Sequence, residues 1–70
     1  MQCIVHMAWV KLADGSENNI STDWIECPPE VSDFVQARNF LSQAILGNKV
    51  KVGDKELMVV EVNIMAFTHK

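Results

Sequence analysis

The sequence predicts an α+β protein with the element order β-β-α-β-β, in which one helix lies on one face of a four-stranded, mostly antiparallel sheet. Three observations lead to this fold class. The apolar run at residues 57–67 is typical of a strand that is covered on both faces. Pro28 and Pro29 end the region of the first two strands, because neither residue can donate a backbone hydrogen bond. Gly53 and Asp54 supply the two-residue turn of a final hairpin.

The first two strands differ in polarity. Residues 3–12 are apolar on both faces, and residues 13–16 then supply a turn containing Asp and Gly. The second strand, from about residue 18 to residue 27, alternates apolar with polar side chains, which is typical of an edge strand. A sheet under one helix needs a large apolar side chain, so we expect one Trp in the core. Trp24, on the more polar strand, is the one that we expect to be exposed.

The helix is predicted between two local signals. Ser32 or Asp33 supplies its N-terminal cap, and Asp33 has capping-box spacing to Gln36. Gly47 and Asn48 end it. At 100° per residue, one stripe of side chains faces the sheet: Phe34, Ala37, Leu41, Ala44 and Ile45. Phe40 falls outside this stripe, so we expect it to be exposed at a second contact surface.

The last strand has more apolar surface than one helix can cover. Strict alternation directs five apolar side chains to one face: Met58, Val60, Val62, Ile64 and Ala66. The opposite face of the strand is mostly apolar as well. The whole chain, residues 1–70, has the length of a single domain and is 49% hydrophobic. We therefore expect a homo-oligomer, a dimer or higher, that completes its core against a copy of itself or a partner protein.

Cysteine content and hydropathy indicate a compartment. Cys3 and Cys27 are too few for a disulfide framework and are expected to be buried or half-buried free thiols, which favours the cytoplasm. The chain contains no apolar stretch long enough for a membrane span and no recognisable signal peptide, so we expect no membrane association.

The residues that could support metal binding or catalysis are few. The soft metal ligands are Cys3, His6, Cys27 and His69; their spacing fits no compact site, and we expect His69 to lie in a frayed end. Cys27 has no basic neighbour that would stabilise a thiolate. We therefore predict no metal, no cofactor and no enzymatic activity.

Binding of another protein is the function that these patterns favour. We expect the contact residues to be Trp24 and Phe40 with the acidic Asp23 and Glu26, because buried aromatic anchors dominate protein interfaces. In size and lack of catalytic motifs the chain resembles the small inhibitors that phages and mobile elements encode against host enzymes. The leading prediction is therefore a non-enzymatic protein that binds and inhibits or modulates another protein.

A second hypothesis is an oligomer that sequesters a small anionic molecule between its subunits. Arg38, Lys49 and Lys51 are the basic residues that would bind such a ligand. Nucleic acid is not an expected partner, because the net charge is -3 and no aromatic residue lies among the lysines. The position of the basic hairpin distinguishes the two hypotheses. A hairpin at the interface between subunits would favour an anionic ligand, and a hairpin on an outer surface would favour a protein partner.

Overall fold

Five strands and one helix make up the fold in the computed structural model, which describes residues 2–70. In chain order they are β1 Gln2–Leu12, β2 Glu17–Ile20, β3 Ile25–Glu26, α1 Phe34–Ile45, β4 Lys49–Val52 and β5 Lys55–His69. The described strand pairs are antiparallel, in the order β2-β1-β5-β4, and β3 pairs with the start of β1. The α+β class is confirmed, but the predicted four strands are wrong: the order is β-β-β-α-β-β.

The predicted second strand is interrupted at residues 21–24, and this accounts for the fifth strand. The Thr22 amide donates to the carbonyl oxygen of Val5 at 3.0 Å, while the Val5 amide donates to Oγ1 of Thr22 at 3.0 Å. A side-chain hydroxyl thus replaces a backbone carbonyl as the acceptor in the pairing. Trp24 consequently lies in the connection between β2 and β3 and not on a strand.

The pairing of β1 with β5 contains β-bulges that overturn the strict alternation predicted for the last strand. Lys11 pairs with Glu61 but Leu12 pairs with Val59, so Val60 has no partner in the register. A second shift leaves Met65 between the paired positions Ile64 and Ala66. Each extra residue inverts the alternation beyond it. The side chains of β5 that pack in or against the core are therefore Leu57, Val59, Val62, Ile64 and Phe67.

The core lies between one face of the sheet and α1. β1 contributes Cys3, Val5, Ala8, Val10 and Leu12, and α1 contributes Ala37, Leu41 and Ile45. Neither Trp is among these buried residues, so the expectation of a core Trp is wrong. Below, the side of the sheet that carries these β1 residues is called the inner face, and the opposite side is called the outer face.

The two helix phenylalanines exchange their predicted roles. Phe34 is 64% exposed, although its ring centroid lies 4.5 Å from that of Phe67. Phe40 is half-buried and packs against the core, because it follows the buried Ala37 by three positions and precedes Leu41. The predicted exposure of Phe40 is therefore wrong. Phe34 begins the helix, before the stripe that contacts the sheet.

Local signals set the ends of the helix as predicted. Asp33 is the N-cap and accepts a hydrogen bond from the Gln36 amide at 2.8 Å, while the Gln36 side chain accepts from the Ser32 amide at 2.9 Å. At the other end Gly47 has a φ of +84° and donates its amide to the carbonyl oxygen of Val59 at 3.0 Å. This hydrogen bond joins the end of the helix to β5 at Val59.

The two predicted turns are also present. Gly53, with a φ of +65°, connects β4 to β5 in a two-residue hairpin. In the turn after β1, Asp14 accepts hydrogen bonds from the hydroxyl and the amide of Ser16. The Ser16 hydroxyl, followed by its amide, lowers the pKa of Asp14 from its ordinary value, since both donors favour the ionised carboxylate.

A disulfide joins Cys3 to Cys27, with Cα atoms 6.4 Å apart, so the prediction of two free thiols is wrong. The cause is the short β3 strand: Cys3 pairs with Ile25, which brings Cys27 next to it. Both cysteines are buried, as expected. The disulfide also removes the argument for a reducing cytoplasm, which depended on free thiols. None of the helices described in residues 2–70 is long and apolar enough to span a membrane.

We predict that Val62→Asp lowers the free energy of unfolding by about 2 kcal/mol or more, because it places a carboxylate against the core. Val60→Asp is the matched control, since Val60 is 45% exposed and should tolerate the same change within about 1 kcal/mol. Urea denaturation of both variants measures the difference. Equal losses of stability would show that Val62 and Val60 lie on the same face of the sheet, which would contradict the bulge at Val60.

We also predict that loss of the disulfide lowers the free energy of unfolding by about 3.5 kcal/mol, the chain-entropy value for a loop of this length. The two cysteines are separated by 24 positions in the sequence. Urea denaturation of the oxidised protein should be compared with the protein reduced by a dithiol in the presence of a chelator, and with the double variant Cys3→Ala, Cys27→Ala. Identical denaturation midpoints for oxidised and reduced protein would contradict a stabilising crosslink.

Candidate functional site

Trp24 lies on the surface near the start of β1. Its side chain is 43% exposed, and Nζ of Lys70 lies 5.1 Å from the ring centroid, in the geometry of a cation–π contact. The next residue, Ile25, begins β3 and packs against the core. Asp23 is also exposed, and its carbonyl oxygen accepts from the Thr22 hydroxyl at 2.9 Å. Trp24 is therefore available as an anchor for a partner.

The other two residues predicted to contact a partner, Phe40 and Glu26, meet at a different place. Together with Cys27, Pro28 and Pro29 they line a groove of about 560 Å³ between α1 and the segment that follows β3. Trp24 does not line this groove. The structure thus divides the predicted contact residues between the exposed Trp24, beside Lys70, and this groove.

The basic residues of the anion hypothesis are not brought together within the chain. Nη2 of Arg38 donates to the carbonyl oxygen of Ile64 at 3.1 Å and to Oδ1 of Asn63 at 2.9 Å, so this guanidinium joins α1 to β5. Lys49 and Lys51 are exposed on β4 and flank Val50, which packs against the core. Alternation therefore directs both lysines to the outer face, away from the helix that carries Arg38.

The outer face exposes a group of large apolar side chains. Four of them lie on β1 and β5 and are between 45% and 59% exposed: Met7, Met58, Val60 and Met65. Trp9 is half-buried on the same face, and its Nε1 donates to Oε1 of Glu17 at 2.7 Å. The sequence predicted an uncovered apolar face, but strict alternation put Val62 and Ile64 on one face with Met58, whereas the bulges separate them.

A cluster of three metal-ligating side chains lies at the disulfide end of the sheet. Cys3 pairs directly with His69 across β1 and β5, and the ligand atoms of Cys3, Cys27 and His69 all lie within 4.8 Å of one another. Nε2 of His69 is buried and has no hydrogen-bond partner. Backbone hydrogen bonds between Gln2 and Lys70, at 3.1 and 2.8 Å, extend the pairing past this position. The expected frayed end at His69 is therefore wrong.

His6, the other histidine, lies apart from this cluster. Its Nε2 is exposed, 2.7 Å from Oγ1 of Thr68. The expectation that the ligand spacing fits no compact site missed that Cys3 and His69 are cross-strand neighbours. The available signal was the apolar character of the first and last strands, which suits two central strands paired with each other. The register that aligns their ends could not be read from that signal.

Comparisons with known proteins do not identify the chain: no family model, no curated protein and no solved structure matches it.

We predict a structural role for Arg38. Arg38→Met should lower the free energy of unfolding by about 1 kcal/mol, because it leaves the carbonyl oxygen of Ile64 without this donor. Lys49→Met is the control, since it removes an exposed charge without a core contact and should change stability by less than about 0.5 kcal/mol. Chemical denaturation of the two variants measures both values. An Arg38→Met variant as stable as the wild type would show that these hydrogen bonds do not stabilise the fold.

Proposed function

We propose that this protein is a non-enzymatic binding module that contacts another protein through the outer face and thereby inhibits or modulates it. The observation that supports the proposal is the group of exposed apolar side chains on that face, at Met7, Met58, Val60 and Met65. Exposed apolar surface on this scale is unfavourable in water unless another molecule covers it.

The composition of the outer face suits a protein partner. Met7, Met58 and Met65 are unbranched and polarisable, so they can adjust to the shape of an apposed surface. Trp24, near Lys70 just past the end of β5, adds a further exposed amphipathic ring. Lys49 and Lys51 are exposed on the edge strand β4 and would form part of a polar rim.

An open sheet face is a better surface for a protein than for a small molecule. Sites for small ligands are concave and enclose most of the ligand surface, whereas the residues of the outer face lie on a sheet with α1 on its other side. The basic residues of the anion hypothesis do not converge in the chain, and Arg38 is already hydrogen-bonded to β5. A protein partner is therefore the proposal that the geometry supports best.

Self-association through the same face is the competing state. Without its partner the protein would reduce the exposed apolar area by pairing outer faces with a second copy, which agrees with the expected homo-oligomer. A partner protein must then displace this copy. Both interactions depend on the same side chains, so one substitution should weaken both.

The proposal is tested by two matched valine variants. Proteins captured from the native host by the immobilised chain are identified by mass spectrometry, purified and titrated with the wild type, Val60→Lys and Val35→Lys. Val60 is 45% exposed on the outer face and Val35 is 67% exposed on the helix. Val60→Lys should weaken binding by about tenfold or more. Trp24→Ala should weaken it by about 2 kcal/mol, the scale of an aromatic anchor.

Val35→Lys should bind as the wild type does, because the helix surface lies away from the outer face. Sedimentation at micromolar concentration controls for self-association, which Val60→Lys should also weaken. A purified partner that binds Val60→Lys and the wild type equally would refute the outer face as the contact surface. Failure of every captured protein to bind the wild type on titration would refute the binding function itself.

A further inference from the structure

We propose that Cys3, Cys27 and His69 form a zinc site when the disulfide is reduced, so that this end of the sheet alternates between a disulfide and a metal-bound state. This reverses the sequence expectation of no metal site, which depended on the ligand spacing and on a frayed His69. The proposal is independent of the outer face, since these side chains belong to the inner face and to the end of the sheet.

The positions of the three ligands fit a zinc ion. Zinc binds thiolate sulfur at about 2.3 Å and imidazole nitrogen at about 2.0 Å with tetrahedral angles, so two sulfurs and one nitrogen bound to it lie about 3.5 to 3.8 Å apart. The Sγ atoms of both cysteines and a ring nitrogen of His69 already lie within 4.8 Å of one another. Opening the disulfide separates the two sulfur atoms, which moves them toward the spacing that the ion requires.

The imidazole of His69 is an independent indication of a ligand. Its Nε2 is buried and has no hydrogen-bond partner, and a buried polar atom without a partner destabilises the folded state. A metal ion bound to this nitrogen would satisfy it. The backbone of His69 is also held in place, because His69 is paired with Cys3 and the backbone hydrogen bonds between Gln2 and Lys70 follow it. A fixed ligand loses little conformational entropy on binding.

The exchange between the two states balances with a dithiol as the reductant. The dithiol transfers two electrons and two protons to the Cys3–Cys27 disulfide, which becomes two thiols, and the dithiol itself becomes a disulfide. Zinc then binds both sulfur atoms as thiolates and displaces one proton from each. His69 contributes the lone pair of its neutral ring and releases no proton. In a reducing compartment the metal-bound state is favoured, and in an oxidising compartment the disulfide is favoured.

Three protein ligands leave the fourth tetrahedral position of the zinc for a solvent molecule or an added ligand. Cys27 also lines the groove formed with Glu26, Pro28, Pro29 and Phe40, so this groove adjoins the proposed site.

The experiment is a metal titration of the whole chain in two redox states. Protein stripped of metal is reduced with a non-thiol phosphine, and binding of Zn²⁺ is followed by competition with a chromophoric chelator. Co²⁺ serves as a spectroscopic substitute that reports thiolate ligation. We expect one ion per chain for the reduced protein and no stoichiometric binding for the oxidised protein. His69→Ala should weaken zinc binding by about tenfold or more.

His6→Ala is the matched control, because it removes the other histidine, which lies on the outer face near Thr68. It should bind zinc as the wild type does. Circular dichroism confirms that each variant is folded. The histidine ring resonances of the reduced wild type give a readout without a substitution: on addition of zinc, those of His69 should shift and those of His6 should not. Equal zinc binding by the oxidised and reduced proteins, or by His69→Ala and the wild type, would overturn the proposal.

Discussion

The antiparallel pairing of β1 with β5 is the interaction on which the rest of the structure depends. These are the two longest strands, and they pair from Cys3 with His69 to Leu12 with Val59. β2 and β3 attach to the free edge of β1, β4 attaches to β5, and α1 covers the inner face that the two central strands form. The hydrogen bonds of this central pair hold both ends of the described chain at the same end of the sheet.

The bulges in this pairing determine which side chains enter the core. An extra residue in one strand turns every later side chain to the opposite face, and β5 contains two such residues, Val60 and Met65. They direct Val62 and Phe67 inward and leave Val60 and Met65 in solvent. The outer face therefore acquires its apolar character from the register of the sheet as well as from composition. The proposed binding function depends on that register.

The two ends of the sheet have different chemistry. At one end, the turn after β1 and the β4–β5 hairpin are polar and closed by local hydrogen bonds. At the other end, β1, β3 and β5 bring two cysteines and a histidine from distant parts of the chain into contact. Because three adjacent strand ends fix the backbone at each of these residues, the ligand side chains have little conformational freedom. A metal site requires ligands that are oriented in this way. This arrangement places the proposed redox and metal chemistry at the opposite end of the β1–β5 pairing from the exposed β4–β5 hairpin.

The sequence by itself determined the features that depend on a few neighbouring residues. Asp33 and Gln36 specify the start of the helix, Gly47 its end, and Gly53 the last hairpin, because each signal acts through backbone geometry or a hydrogen bond within one turn. The α+β class follows from these boundaries. The apolar excess also correctly indicated a face left without cover by the helix.

Only the tertiary structure decided which residues occupy each face and which distant residues meet. The break at residues 21–24 requires a hydrogen bond from Val5 to the Thr22 side chain, and the orientation of Val62 requires the register of β1 against β5. The contact of Cys3, Cys27 and His69 requires three strand ends to align. None of these is fixed by local preference, because a strand has the same alternation in every register and the choice among registers is made by packing over the whole sheet.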